Sequence, residues 1–476
     1  MAIIQGLSED GGLFVPEKFP KLDVSLSELA KMDYRNVAYE VMKLFFTDFT
    51  EEELRSCIAN AYDSKFDTEE IAPLAFVKDS YYLELFHGKT IAFKDMALSI
   101  LPHLMTTSAK KNNISEEIVI LTATSGDTGK AALAGFADVP GCRIVVFYPK
   151  GGVSRIQERQ MLTQKGNNVK VVGIRGNFDD AQTGVKKIFS DENFKAELKT
   201  KGYRLSSANS INIGRLIPQV AYYVFAYSRL LKEGKIREGE PINFTVPTGN
   251  FGNILAGFYA MKIGVPVAKL ICASNENKVL FDFFETGVYD RNREFILTTS
   301  PSMDILISSN LERLIYEIAG EDDARCKELM SSLSATGKYE ITPEMKARCK
   351  EFVGGYATEE EVLERIAGIY KDTGYVMDTH TAVASAVYDR YRRTEKDETV
   401  NVIVSTASPY KFTRSVMEAL EGKAEEEDDF ALIDRLSALS GIPVPNAVEE
   451  IRNAEILHHT VCDKEEMLNE VALFLK

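Results

Sequence analysis

Ile118-Val119-Ile120-Leu121-Thr122-Ala123-Thr124-Ser125-Gly126-Asp127-Thr128-Gly129-Lys130-Ala131-Ala132 passes from a β-branched apolar run, through a turn rich in hydroxyls and glycine, into a stretch of small residues. A continuous apolar run of this length reads as a strand buried on both faces, and the turn after it reads as the entry to a helix. The same alternation recurs around Cys142–Tyr148, Val169–Ile174, Asn243–Val246, Lys269–Ala273 and Asn401–Ser405, with helical stretches between them. Strands alternating with helices predict an α/β protein with parallel sheets covered on both faces.

Outward from that region the patterning changes. Apolar positions recur at helical spacing from Leu26 to Phe46 and over Glu51 to Tyr62, predicting a largely helical N-terminal region. Thr50-Glu51-Glu52-Glu53 carries the spacing at which a hydroxyl and a carboxylate satisfy each other's free backbone N–H groups at a helix start. The charged stretch Gly234–Pro241 reads as a boundary or connecting loop, the acidic run Glu425–Asp429 as solvated surface, and Lys464–Lys476 as a terminal amphipathic helix. The expected division is 1–85, helical; 86–235 and 236–420, α/β; and 421–476, a helical tail.

The chain has 476 residues, 45% apolar and 27% charged, which fits a globular protein of two or three domains. No window approaches the roughly 18 consecutive apolar residues of a membrane helix. The first ten residues lack a basic segment followed by an apolar one, so a cytoplasmic setting is expected. A net charge of −15 opposes binding to nucleic acid, where Lys and Arg must displace counterions from phosphates. The six cysteines form no C-x-x-C pair and the five histidines no metal-binding spacing, so neither a zinc site nor a disulfide framework is expected.

In open parallel sheets ligands bind at the carboxyl ends of the strands. Three loops there are rich in Gly, Ser, Thr and Asn: Ala123–Ala132, Pro247–Asn253 and Ser405–Phe412. Backbone N–H groups at a helix N-terminus suit a carboxylate or phosphate. A nucleotide P-loop is excluded, because Thr124 stands where its first glycine is required and Ala131 follows Lys130. In Phe86–Asp95, Lys94 lies beside Phe93 in an apolar turn, where a lysine can have its pKa lowered and act as an imine-forming amine.

Taken together, these segments resemble the threonine synthases, fold-type II pyridoxal-phosphate enzymes. Gly6–Pro16 resembles the family's opening segment and His87-Gly88-Lys89-Thr90-Ile91-Ala92-Phe93-Lys94-Asp95 its HGPTxAFKD motif, with Lys89 in place of proline. Ala123–Gly129 is similar to ATSGDTG, Pro247–Asn253 to PTGNFGN, and Ser405–Pro409 to the late STASP loop. Asn209–Arg215 resembles the substrate-phosphate stretch, and Asp378–Ala384 resembles DPHTAVA with Thr379 in place of proline.

The resemblance implies two open α/β subdomains after the helical N-terminal region, and pyridoxal 5'-phosphate held as an imine on Lys94. It implies that Gly249, Asn250, Phe251, Gly252 and Asn253 cradle the cofactor phosphate and that Thr406 faces the pyridine nitrogen. Thr124, Ser125, Asp127 and Thr128 would hold the substrate carboxylate and border the ring hydroxyl, with Asp127 acting through that hydroxyl or a water. Asn209, Ser210 and Arg215 would hold the phosphate of O-phospho-L-homoserine. The rivals are a serine/threonine dehydratase or sulfhydrylase-like fold-type II enzyme, which needs no second phosphate pocket, and a catalytically silent phosphate- or metabolite-binding relative, which needs no imine lysine.

Overall fold

The computed structural model describes all residues except Ser125, Lys423 and 425–427. Two sheets organise it. One has five strands, all parallel, in the order Val461–Asp463, Val169–Arg175, Cys142–Pro149, Glu117–Ala123, Tyr203–Ser206. The other has six, in the order Leu74–Val77, Ser80–Glu84, Asn401–Ser405, Ile242–Pro247, Val267–Ser274, Phe352–Tyr356. Its first pair is antiparallel and the rest are parallel. The six strands expected from the apolar runs all lie in these sheets, and the α/β class follows from their parallel pairing.

Through Ala61 the N-terminal region's regular elements are all helices, Ala2–Gln5, Leu26–Leu29, Tyr34–Met42 and Glu51–Ala61, the last opening with the reciprocal Thr50–Glu53 cap. It gives way to the hairpin Leu74–Glu84, whose two-residue turn carries Lys78 at φ 59 and whose strands form the edge of the larger sheet. The tail also differs from a purely helical one. Val461–Asp463 adds a strand to the smaller sheet before the terminal helix Met467–Phe474 packs its buried Met467 and Val471 over that sheet's outer face.

Phe352–Tyr356 hides its strand character behind Gly354-Gly355. A β-carbon on Gly355 would stand 2.4 Å from Val387 of the covering helix Thr379–Glu395, so the sequence gives up strand propensity for close helix-on-sheet packing. The helix Ile213–Lys232 is buried almost all round, within the main core shared by the N-terminal helices and strands of both sheets. No helix among the described residues is long and apolar enough to cross a membrane.

Candidate active site

The Lys94 turn is held by its neighbours in sequence and by the loop after Asn401–Ser405. Buried Asp95 accepts from the Thr90 backbone N–H at 2.8 Å and from the Thr90 hydroxyl at 2.6 Å. Phe93 N donates to Thr406 O at 2.8 Å, and Ser408 N donates to Ile91 O at 3.0 Å. Lys94 and Thr406 are thereby fixed side by side at the carboxyl end of a central strand.

Asp127, the first residue of the helix Asp127–Phe136, is the hub of the site. One carboxylate oxygen, Oδ2, faces Lys94 Nζ at 3.2 Å and accepts from Ser302 Oγ at 2.8 Å. The other, Oδ1, accepts from Gln157 Nε2 at 2.8 Å and faces Lys411 Nζ at 3.3 Å. Burial opposes ionisation of Asp127, but Lys411 and Lys94 outweigh it and hold its carboxyl well below the usual range. Burial likewise lowers the pKa of Lys94, with Lys411 and Arg215 adding to the effect against the pull of Asp127. A buried lysine of lowered pKa beside a fixed carboxylate suits an amine that must react as a nucleophile.

Thr124 is buried, and its hydroxyl oxygen accepts from Gly126 N at 3.0 Å and Gly129 N at 2.9 Å, so it shapes the helix start. Thr128 is partly exposed at that same helix start, and Ser125 lies outside the described residues.

Pro247–Asn253 joins Ile242–Pro247 to the helix Gly252–Ile263. Phe251 is buried at φ 65, a left-handed conformation that turns the chain into the helix. A β-carbon on Gly249 would stand 2.6 Å from the Ser302 carbonyl oxygen. Asn250 O accepts from Asn310 N at 3.0 Å. Asn253 Oδ1 is saturated by the hydroxyls of Tyr222 at 2.6 Å and Tyr223 at 2.8 Å, which leaves its buried amide nitrogen without a partner. A helix N-terminus with a glycine-lined approach and an orphaned donor fits a bound phosphate.

Arg215 lies in the first turn of the helix Ile213–Lys232 and is buried. Its Nη1 donates to Ala208 O at 3.1 Å, its Nε has no partner among the described residues, and burial alone lowers its pKa to about 10. A buried guanidinium without a carboxylate beside it calls for an anionic ligand. Asn209 is exposed, and Ser210 O accepts from Asn310 Nδ2 at 3.3 Å. Arg313 donates to Asn310 Oδ1, to Ile211 O at 2.7 Å and to Phe14 O at 2.8 Å, tying the opening segment to this stretch.

The structure thus brings Lys94, Asp127 and Thr406 together and gathers Gly249–Asn253 into one loop at a helix start. It adds four residues that the sequence did not single out for the site: Ser302, Lys411, Gln157 and His380. Lys411 fell within the Ser405–Phe412 loop and His380 within the Asp378–Ala384 motif, whereas Ser302 and Gln157 carried no local signal.

Residues 75–406 match the family described as "Pyridoxal-phosphate dependent enzyme", and the residues fit that cofactor: a buried lysine of lowered pKa lies beside a buried carboxylate, and a glycine-lined helix start with an orphaned buried amide suits a phosphate. The molecule is a pyridoxal-phosphate enzyme of the fold-type II architecture, with pyridoxal 5'-phosphate as its cofactor. Residues 1–62 match "Threonine synthase N terminus" and 381–461 match "Threonine synthase, C-terminal". A threonine synthase of Saccharomyces cerevisiae is 35% identical over 88% of this chain and 86% of its own length. The human protein named threonine synthase-like 1 is 39% identical over 97% of this chain, which spans 63% of that relative's length. The crystal structure of threonine synthase from Brucella melitensis with bound PLP superposes with a TM-score of 0.88, at 33% identity, covering 100% of this chain and 95% of that one. The chain belongs to the threonine synthase family.

Proposed function

We propose that this protein is a threonine synthase, converting O-phospho-L-homoserine and water to L-threonine and phosphate by γ-elimination and β-addition of water, the last step of threonine biosynthesis. The observation that carries the reading is Arg215, a buried guanidinium with no carboxylate beside it. It supplies an anion subsite on a different helix from the phosphate cradle at Gly249–Asn253. A dehydratase acting on serine or threonine has no use for a second such subsite.

The bound cofactor supplies the electron sink. Lys94 holds it covalently, and once released the Lys94 amine takes the proton from the substrate α-carbon and then one from the β-carbon. Asp127, kept anionic by Lys411, accepts a hydrogen bond at the ring hydroxyl rather than binding the substrate carboxylate itself, because two anions repel. That carboxylate lies at the N-terminus of the helix Asp127–Phe136, within reach of Thr128, with Thr124 shaping the turn, and Ser125, outside the described residues, is assigned to it by the family resemblance alone. Thr406 presents a neutral hydroxyl to the pyridine nitrogen. Gly249, Asn250, Phe251, Gly252 and Asn253 hold the cofactor phosphate. Arg215, with Asn209 and Ser210, holds the substrate phosphate and orients the γ-carbon bond that breaks.

The test is release of phosphate together with formation of L-threonine from O-phospho-L-homoserine by the purified holoenzyme. Lys94→Ala removes the amine and is expected to abolish turnover with the fold intact. Release of phosphate without threonine would overturn the proposed product, and normal turnover by Lys94→Ala would overturn the role of the lysine.

A further inference from the structure

Asp378-Thr379-His380 opens the helix Thr379–Glu395, and the side chains of Thr379 and His380 meet the 299–302 segment. Asp378 is fully buried and accepts from the backbone N–H groups of His380 at 2.9 Å and Thr381 at 3.0 Å, and from the Thr381 hydroxyl. Its Oδ2 also meets His380 Nδ1 at 2.8 Å. On the other side of the ring, Ser302 N lies 3.1 Å from His380 Nε2. A backbone N–H can only donate, so Nε2 is the acceptor and Nδ1 carries the ring proton, donated to Asp378. Thr379, at the position where the family pattern has proline, donates its hydroxyl to Thr299 O at 2.7 Å.

Two adjacent residues of one rigid helix start therefore grip the 299–302 segment at both ends. Glu359 holds Thr299 N at 2.8 Å, and the carbonyl of Ser302 rests against Gly249, where no β-carbon would fit. The gripped side chain is Ser302. Its hydroxyl accepts from Lys94 Nζ at 3.1 Å and donates to Asp127 Oδ2 at 2.8 Å. Lys94 Nζ also faces Asp127 Oδ2, so nitrogen, hydroxyl and carboxylate oxygen close a triangle. A neutral amine whose two N–H groups are pinned in this way has the direction of its lone pair fixed, which is what an attacking nitrogen requires.

We propose that Ser302 is a catalytic residue that orients the Lys94 amine, and that Thr379 and His380 are the positioning residues that hold it in place. This rests on Lys94 being the lysine that carries the cofactor.

The experiment follows capture of pyridoxal 5'-phosphate by the stripped protein, with borohydride reduction and mass spectrometry locating the label, alongside steady-state kinetics of the holoenzyme. Ser302→Ala is expected to reach the same final labelling of Lys94 about tenfold more slowly, and to lower kcat about tenfold with KM within about twofold, the cost of one hydrogen bond at the reacting nitrogen. Ser302→Thr restores most of both rates. Thr379→Val gives a smaller fall in the same two rates, and Thr379→Ser restores them. Wild-type capture and kcat in Ser302→Ala would overturn the proposal, as would equal losses in kcat, KM and melting temperature that threonine fails to rescue. Absence of a label on Lys94 in the wild-type protein would remove the reading beneath it, a result distinct from either.

Discussion

Lys411 meets Asp127 on the carboxylate oxygen that Lys94 leaves free: its Nζ lies 3.3 Å from Oδ1, while Lys94 Nζ lies 3.2 Å from Oδ2. Lys411 also donates to Thr90 O at 2.8 Å, within the turn that carries Lys94. One buried cation thus fixes the charge of the carboxylate and ties down the loop of the reactive lysine.

Replacing Lys411 with methionine leaves Asp127 with only half of its positive surroundings. Breaking a buried pair costs about 3–5 kcal/mol, reduced here because Lys94 remains. We expect a loss of about 2–3 kcal/mol at neutral pH by denaturant unfolding. The folded-state pKa of Asp127 is lowered, so its contribution is fully present above the unfolded value near 4 and is lost as pH falls through the folded value. The difference between wild type and Lys411→Met should therefore shrink in acid. A constant difference from pH 7 to pH 2 would exclude the pairing as its source.

Arg215 should trade stability for function. Its buried, unpaired guanidinium destabilises the ligand-free fold, so Arg215→Met is expected to unfold at a higher temperature than wild type. Loss of a charge-assisted bond of roughly 1.5–3 kcal/mol lowers kcat/KM for O-phospho-L-homoserine about ten- to a hundredfold. Arg215→Lys should fall between, because lysine lacks the forked geometry that meets two phosphate oxygens. Deamination of L-serine, which carries no phosphate, is the control. An equal fall on both substrates would point to general disruption and away from a phosphate clamp.

Thr406 offers a hydroxyl where a carboxylate would favour a protonated pyridine ring. Its backbone is held against the Lys94 turn through Phe93 N, so a new side chain there cannot withdraw far. Thr406→Asp is expected to lower turnover and to alter the absorbance of the bound cofactor. A soluble variant with unchanged rate and spectrum would remove Thr406 from the ring nitrogen.

Lys130 is buried in the helix after the Asp127 turn, donates to Gln164 Oε1 at 2.6 Å, and burial pushes its pKa down to about 8. Between about pH 8 and the unfolded value near 10.4 the unfolded chain binds the extra proton, so this group's contribution to stability rises with pH across that window. Lys130→Met should stabilise the protein at pH 7 by about 1–2 kcal/mol, net of the hydrogen bond lost to Gln164. The gain should fade toward pH 10. Urea unfolding at the two pH values checks both magnitude and sign.

The strand Asn401–Ser405 falls on the residues its apolar run marked, because a strand buried on both faces must be continuously apolar. The edge hairpin at Leu74–Glu84 and the glycine-bearing strand Phe352–Tyr356 were hidden, since partial exposure and close helix packing erase that signal. The motifs bearing Lys94, Asp127, Gly249–Asn253 and Thr406 were picked out by their resemblance to the threonine synthases. Local physics alone gave only glycine- and hydroxyl-rich loops at strand ends and helix starts.

What the sequence could not supply is the set of partners drawn from distant positions. Ser302 is 208 residues from Lys94 and 175 from Asp127, yet its hydroxyl bridges both. Lys411 lies 321 residues from the Thr90 carbonyl that it holds. Local periodicity records which face of an element is buried, and so the sequence by itself determined the six apolar strands and the capped helix start at Thr50, while Lys94 was singled out by its motif's resemblance to the threonine synthases. Which side chains converge on that lysine was decided only when the two sheets and their covering helices closed around it, because burial of those charges gives their mutual distances energetic force.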